Sequence, residues 1–284
     1  MEEVRNGENI RSDVVLRLCD VSFSYPGREP ALRHVSLSIH EGEKIAVMGA
    51  NGSGKSTFFL NLNGVLTPKE GKLYYRETEI TRKNLNELRR RVGIIFQDAD
   101  NQIIAPSVRA EISFGPMNLK LPREEVEKRV GKAMLDMKLE GFEDRPPHYL
   151  SGGEKKRVSI ADIIAMEPDV FLFDEPTASL DPANAQQLES VLEMLAQRGK
   201  TLLISTHDVD FAYRWADRVI VFQKGTVRAD GTPLAVFSQQ ELCRETNLKS
   251  PALFRVVRLL EQKHLLKEKG RAPKTLEELE QLLG

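Results

Sequence analysis

The feature that most narrows what this chain can fold into is the run Gly49-Ala50-Asn51-Gly52-Ser53-Gly54-Lys55-Ser56-Thr57, which follows the short apolar segment 44–48. It fits the pattern G-x-x-x-x-G-K-[ST]. Glycines let a backbone curl around an anion so that several amides point inward. A helix beginning near Gly54 turns its positive end toward the same place. Lys55 supplies a point charge for β- and γ-phosphates, and the Ser56 hydroxyl can ligate Mg2+. Such a loop needs an apolar strand entering it and a helix leaving it, so an α/β fold is expected around it.

The rest of the chain supplies those elements. Residues 14–25 and 32–39 alternate apolar and polar side chains, with Leu32, Val35, Leu37 and Ile39 mostly on one side and Pro26-Gly27 as the turn between. Short apolar segments at 44–48, 92–96, 170–173, 201–205 and 218–222 alternate with amphipathic stretches. That rhythm predicts a β-rich N-terminal subdomain and a mainly parallel core sheet with helices on its faces. Between Gln97 and Leu150 no strand signal appears, and residues 124–139 carry Val126, Val130, Met134 and Met137 at helical spacing. A helical subdomain at about 98–166 is expected, its methionines filling core gaps.

After Phe222 a strand-turn unit at Lys224-Gly225 and Asp230-Gly231 leads to a helical tail, 238–284. Ser238-Gln239-Gln240-Glu241 and Thr275-Leu276-Glu277-Glu278 both match the capping box. Leu253, Val256, Val257 and Leu260 form an apolar stripe between them, so the tail is expected to fold and to face a partner.

Composition removes several functions. With 41 Lys+Arg against 42 Asp+Glu, the net charge is -1, and a nucleic-acid partner would ask for a basic surplus. No apolar run approaches the roughly 18 residues of a bilayer span. Residues 1–10 have neither a basic start nor an apolar core, so no secretory signal is expected. Cys19 and Cys243 offer no disulfide framework and no metal-ligand spacing, and reduced thiols are expected. The reading is a soluble intracellular α/β protein.

A second motif pairs with the first. Val170-Phe171-Leu172-Phe173-Asp174-Glu175 is an apolar strand ending in two carboxylates, and the carboxyl ends of strands are where open α/β sheets bind ligands. Asp174 is the candidate for holding Mg2+ and Glu175 for orienting or deprotonating an attacking water. Leu150-Ser151-Gly152-Gly153-Glu154 is a third. Taken alone, Ser151 and Glu154 are equally a capping box opening a helix over 155–166, and a capped, glycine-rich helix start is also an anion site.

Together the three motifs closely resemble the Walker A, Walker B and LSGGQ signature sequences of the ATP-binding cassette (ABC) ATPases. The resemblance implies a P-loop NTPase with ATP and Mg2+ as cofactors, over residues 14–237. In that family Tyr25 matches the aromatic residue that stacks on adenine, although an ordinary edge-strand tyrosine also fits. Gln97 matches the Q-loop glutamine, with metal-binding and catalytic roles. Ser179-Leu180-Asp181 matches the D-loop, and His207 the H-loop histidine. The family also implies a head-to-tail dimer, with Ser151, Gly152 and Gly153 contacting the nucleotide of a second ATPase subunit, identical or paralogous. Glu154 stands where glutamine is usual, and at the third helical position it can face its own cap.

Residues 96–102 and 148–157 resemble, more narrowly, the energy-coupling-factor (ECF) importers, especially the cobalt and nickel branch. That implies a peripheral protein on the cytoplasmic face of the membrane, with a transmembrane coupling subunit and a substrate-binding membrane subunit as partners. Cobalt is the favoured cargo, with nickel or a vitamin as alternatives. Asp98 and Asp100 are read as acceptors for arginines of the coupling subunit, or else as solvated loop acids. A soluble, non-transport ABC ATPase is the rival class.

Overall fold

The computed structural model describes residues 13–178, 180–266 and 273–283; the segment 1–10, read for a leader, lies outside them, as does Ser179. β1 (Val14–Ser24) and β2 (Pro30–His40) pair antiparallel. Val35, Leu37 and Ile39 alternate inward on β2, but Leu32 lies three residues from Val35 and would face outward in a regular strand. His34 takes φ 51°, and the pairing shifts from Val21↔Val35 to Phe23↔Leu32. This bulge returns Leu32 to the core, where it is fully buried.

β3 (Lys44–Met48) enters the glycine loop and α1 (Lys55–Leu62) leaves it. β4 (Glu70–Tyr75) and β5 (Thr78–Glu79) complete an antiparallel sheet in the order β2-β1-β4-β5. α2 (Leu85–Arg91) runs into β6 (Val92–Ile95), which ends one residue before Phe96. Three helices follow, α3 (Val108–Asn118), α4 (Arg123–Asp136) and α5 (Gly152–Met166), ahead of β7 (Val170–Asp174). α6 (Pro182–Gln197), β8 (Thr201–Ser205), α7 (Val209–Trp215), β9 (Arg218–Gln223) and β10 (Thr226–Gly231) finish the core. The second sheet has the order β10-β9-β3-β8-β7-β6 and is parallel except for β10.

β3 sits inside this sheet with both faces covered. Ile45 and Val47 pack toward the N-terminal sheet and α1, whereas Ala46 and Met48 pack toward the helical side. β7 divides the same way, with Val170 and Leu172 on one face and Phe171 and Phe173 on the other. The period of two with apolar residues on both faces is what a buried parallel strand requires. On α4, Val126, Val130 and Met134 are buried against α3 and α5, and Met137 joins them as core filler.

α8 (Pro233–Phe237) follows β10 just ahead of the tail, whose described residues form α9 (Gln240–Glu245), α10 (Ala252–Gln262) and α11 (Leu276–Leu283). Three expectations change here. Ser238 does not open a helix: it closes α8, its hydroxyl donating to the Leu234 carbonyl at 2.7 Å, and α9 starts from Gln239 without a side-chain cap. On α10 it is Phe254 and Val257 that are buried, while Val256 is exposed, so the stripe is rotated by part of a turn. Thr275 does cap, accepting the Glu278 N–H at 3.2 Å, but the Glu278 carboxylate takes the Lys274 amide instead of closing the box. Cys19 and Cys243 are free thiols.

The two sheets are tied by one guanidinium. Arg218 on β9 donates Nε and Nη2 to Asp230 on β10, and Nη1 to Glu43 and to the Ser38 carbonyl on β2. These partners hold the Arg218 pKa above its ordinary value, the Asp230 carboxylate contributing most. Arg218→Met should lower stability by about 2 kcal/mol, a typical charged-hydrogen-bond loss, measured by urea unfolding. Arg218→Lys should recover only part of it, because an ammonium has no planar fork.

Candidate functional site

The loop after β3 is shaped by its surroundings. Gly49 has φ 139° and Gly54 has φ 114°; a Cβ on Gly49 would lie 2.2 Å from the Phe222 carbonyl, and one on Gly54 2.6 Å from the Ala31 carbonyl. Only glycine meets both the torsion and the crowding. The Ser53 carbonyl accepts the Gly225 N–H at 2.8 Å, which pins the loop to the β9–β10 turn. Ala50, Asn51, Gly52 and Ser56 stay exposed along the mouth of the loop. Ser53 Oγ is buried with no hydrogen-bond partner among the described residues, a donor suited to a phosphate oxygen. Lys55 is buried, its Nζ donating to the carbonyls of Gly49 (2.7 Å) and Ala50 (3.3 Å). Burial lowers its pKa, and Glu175 and Asp174 pull it partly back. Tyr25 is half-buried on the same side, its hydroxyl 3.3 Å from Thr57 Oγ1.

Across the sheet, β7 delivers the acids. The register pairs Asp174 with Ser205 at the ends of β7 and β8. Ser205 Oγ donates to Asp174 Oδ1 at 2.6 Å and accepts the Glu175 N–H at 2.8 Å. That second bond holds Glu175 at φ 43°, an uncommon left-handed torsion for a non-glycine residue. Glu175 Oε1 then stands 3.9 Å from Lys55 Nζ and 2.7 Å from His207 Nε2. A carboxylate only accepts, so the imidazole donates from Nε2. Asp208 follows as the N-cap of α7, accepting the amides of Asp210 and Phe211, so the turn carrying His207 is anchored. Lys55, Asp174, Glu175 and His207 thus meet at one place.

Other expected residues sit elsewhere. Ser151 accepts the Glu154 N–H at 3.3 Å and Glu154 accepts the Ser151 N–H at 2.7 Å, a complete capping box that starts α5 at Gly152, three residues before the expected start. The Ser151 backbone amide, then its hydroxyl, holds the Glu154 carboxyl below its ordinary range. A Cβ on Gly153 would strike the Asn184 side chain at 2.6 Å, and Asp181 caps α6 by accepting from Asn184. No hydrogen bond or ion pair among the described residues joins Ser151, Gly152 or Gly153 to Lys55 or Glu175. Gln97 is exposed just past β6. Asp98 caps the turn Ala99–Asn101, and Asp100 is ion-paired to Lys155 of the same chain at 2.5 Å, so Asp100 is no simple solvated acid.

Among the described residues no group of three or more His, Cys, Asp or Glu could hold a metal by itself. The Ser56 hydroxyl on the loop and the Asp174 carboxylate at the end of β7 are hard oxygen donors, while the Gln97 amide lies exposed past the end of β6. Mg2+ is usually bound by one or two carboxylates plus substrate phosphates, and this donor set fits that arrangement. Ser205 went unrecognised in the sequence because its role depends on pairing with a residue 31 positions away.

Residues 32–178 match the family described as ABC transporter. The chain belongs to the ABC transporter ATPases. It is 47% identical over 264 residues to the energy-coupling factor transporter ATP-binding protein EcfA2 of Methanospirillum hungatei. That alignment covers 92% of this chain and 66% of the relative, so the chain spans just under two thirds of its length. The structure of cbiO1 from Clostridium perfringens, part of the ABC transporter complex cbiONQ, superposes with a TM-score of 0.73 at 40% identity, covering 88% of this chain and 99% of that one. A dimeric ATP-binding cassette in a post-hydrolysis state, bound to ADP and Pi, matches with a TM-score of 0.69 at 32% identity, covering 77% of this chain and 98% of that one.

Two outcomes follow for this ABC ATPase. Ser205→Ala leaves the half-buried Glu175 amide unpaired, so it should cost about 1 kcal/mol in a urea melt and slow steady-state ATP turnover about 10- to 100-fold. Glu154→Gln should leave the melting temperature within about 2 °C of the parent, since either side chain completes the box.

Proposed function

We propose that this chain is the ATP-hydrolysing subunit of an ECF-type importer, working on the cytoplasmic face of a membrane. The observation that carries the reading is the meeting of Lys55, Asp174 and His207 around the single carboxylate Glu175, with the signature residues set apart on α5. Lys55 and the amides of 49–57 bind the phosphates of ATP, and Tyr25 stacks on its base. Ser56, Asp174 and Gln97 would hold Mg2+, which would supply positive charge against the phosphate oxygens. Glu175 takes a proton from water as the water oxygen attacks the γ-phosphorus and the bond to the β–γ bridging oxygen breaks. His207 keeps the base in line through its Nε2 donor, so the work is positioning and electrostatics.

A residue set divided in this way is completed by a second ATPase subunit, homologous or identical. Ser151, Gly152, Gly153 and Asp181 face the nucleotide of that partner in this reading, and the dimeric cassette with ADP and Pi supports it. Residues 14–237 are then the nucleotide-binding domain, with 98–166 as its helical part and 238–284 as a partner contact. No helix among the described residues is long and apolar enough to cross a membrane; a transmembrane coupling subunit and a substrate-binding membrane subunit supply the path. Cobalt is the cargo that the narrower resemblance of residues 96–102 and 148–157 implies, and a nickel or vitamin importer is the second reading.

Glu175→Gln should keep ATP binding, lose at least ~10²-fold in turnover, and accumulate ATP-dependent dimers in light scattering. Turnover like the parent's removes Glu175 from the role of base. Purification from membranes in detergent should recover integral membrane subunits with this chain; recovery with ribosomes or DNA instead moves the assignment to a soluble ABC ATPase.

A further inference from the structure

One buried cation is left unused by the mechanism above. Lys156 lies one turn into α5, behind the signature, and only 6% of it is exposed. Its Nζ donates to two consecutive carbonyls, Phe96 at 2.7 Å and Gln97 at 3.1 Å. Gln102 closes the same junction from the other side. Its Oε1 accepts the Phe96 N–H at 3.3 Å, and its Nε2 donates to the carbonyl of Ser159, one turn further along α5. The backbone at Phe96 and Gln97 is therefore attached to the signature helix through one amide and two carbonyls.

Holding a charge there is costly. A lysine stem normally snorkels to carry its ammonium to water, and removing an ammonium from water carries a penalty of several kcal/mol. Burial pushes Lys156 down to about 8, with Asp174 and Asp98 acting in the opposite direction. An ordinary loop carbonyl could be satisfied by water or a neutral donor. A compact cation with several donors can hold both carbonyls beside Gln97 at once.

We propose that Lys156 is a positioning residue: it fixes the Gln97 loop to the signature helix, so that Gln97 and residues 151–153 are carried as one unit. The proposal rests on the role given to Gln97 above. It requires nothing of the Walker A loop, which Lys156 does not touch, so its effect should fall on turnover and not on nucleotide affinity.

The test uses the full-length chain with Mg-ATP and four variants, Lys156→Met, Lys156→Gln, Gln97→Ala and the double variant Gln97→Ala/Lys156→Met. Lys156→Met should lower kcat at least ~10-fold, in keeping with a misplaced positioning group, while KM for ATP stays within about twofold. Lys156→Gln keeps a donor and should recover kcat to within about threefold of the parent. The double variant should turn over no more slowly than Gln97→Ala alone, because the lysine acts through that loop. Parent-like kcat in Lys156→Met, a KM that rises in step with the loss, or losses that multiply in the double variant would each overturn the proposal. Should Lys156→Met yield no folded protein, Lys156→Ala, whose space water can fill, is held to the same outcomes. An unchanged kcat in Gln97→Ala would instead remove the Gln97 reading, and this proposal with it.

Discussion

Crowding around the glycine loop governs the rest of the molecule. The Cα of Gly49 lies against the Phe222 carbonyl and that of Gly54 against the Ala31 carbonyl, so backbone from β9 and from just inside β2 forms the wall behind the loop. Those contacts exist only if β3 and β9 are neighbours and the N-terminal sheet closes over them. A loop that turns its amides inward has few side chains with which to stabilise itself. The surrounding backbone has to fix its shape, and the Gly225 amide on the Ser53 carbonyl is one such clamp. Arg218, which joins β9, β10 and β2, serves the same end from further away.

The charge arrangement depends on that frame. Glu175 gathers Lys55 from the start of α1 and His207 from the turn after β8, and Ser205 at the end of β8 sets its backbone. Low solvent access strengthens the contact of buried Lys55 with Glu175 and makes a misplaced partner there expensive, whereas His207 meets the same carboxylate from the exposed side. One hydroxyl acts on both acids, donating to Asp174 and accepting from Glu175. Their spacing is therefore set by the β7–β8 register and not by either side chain alone.

The signature helix stands in contrast. Its N-terminus is finished locally, by the reciprocal bonds between Ser151 and Glu154, and its glycine leans on Asn184. Further along, the same helix holds the loop at Phe96 and Gln97. The tail is built onto the opposite flank, where the Ala252 amide donates to Asp210 and Lys274 reaches the Ala216 carbonyl at the two ends of α7. The helix that follows His207 is thereby tied to the C-terminal segment.

Local backbone chemistry was legible in the residues themselves. Glycine spacing in 49–54, the two-residue period of the core strands, the helical period of α4 and the capping box at Ser151 all record short-range geometry, and all four are found where those patterns place them. Lys55, Asp174, Glu175 and His207 could be named because each follows or ends a readable element. Tertiary structure alone decided the bulge that turns Leu32 inward, the register that gives Ser205 to both acids, and the burial of Lys156 against two carbonyls. The physical reason is the same each time. Sequence period reports which way a side chain points along its own element, while register and desolvation are set by the other chain segments packed against it.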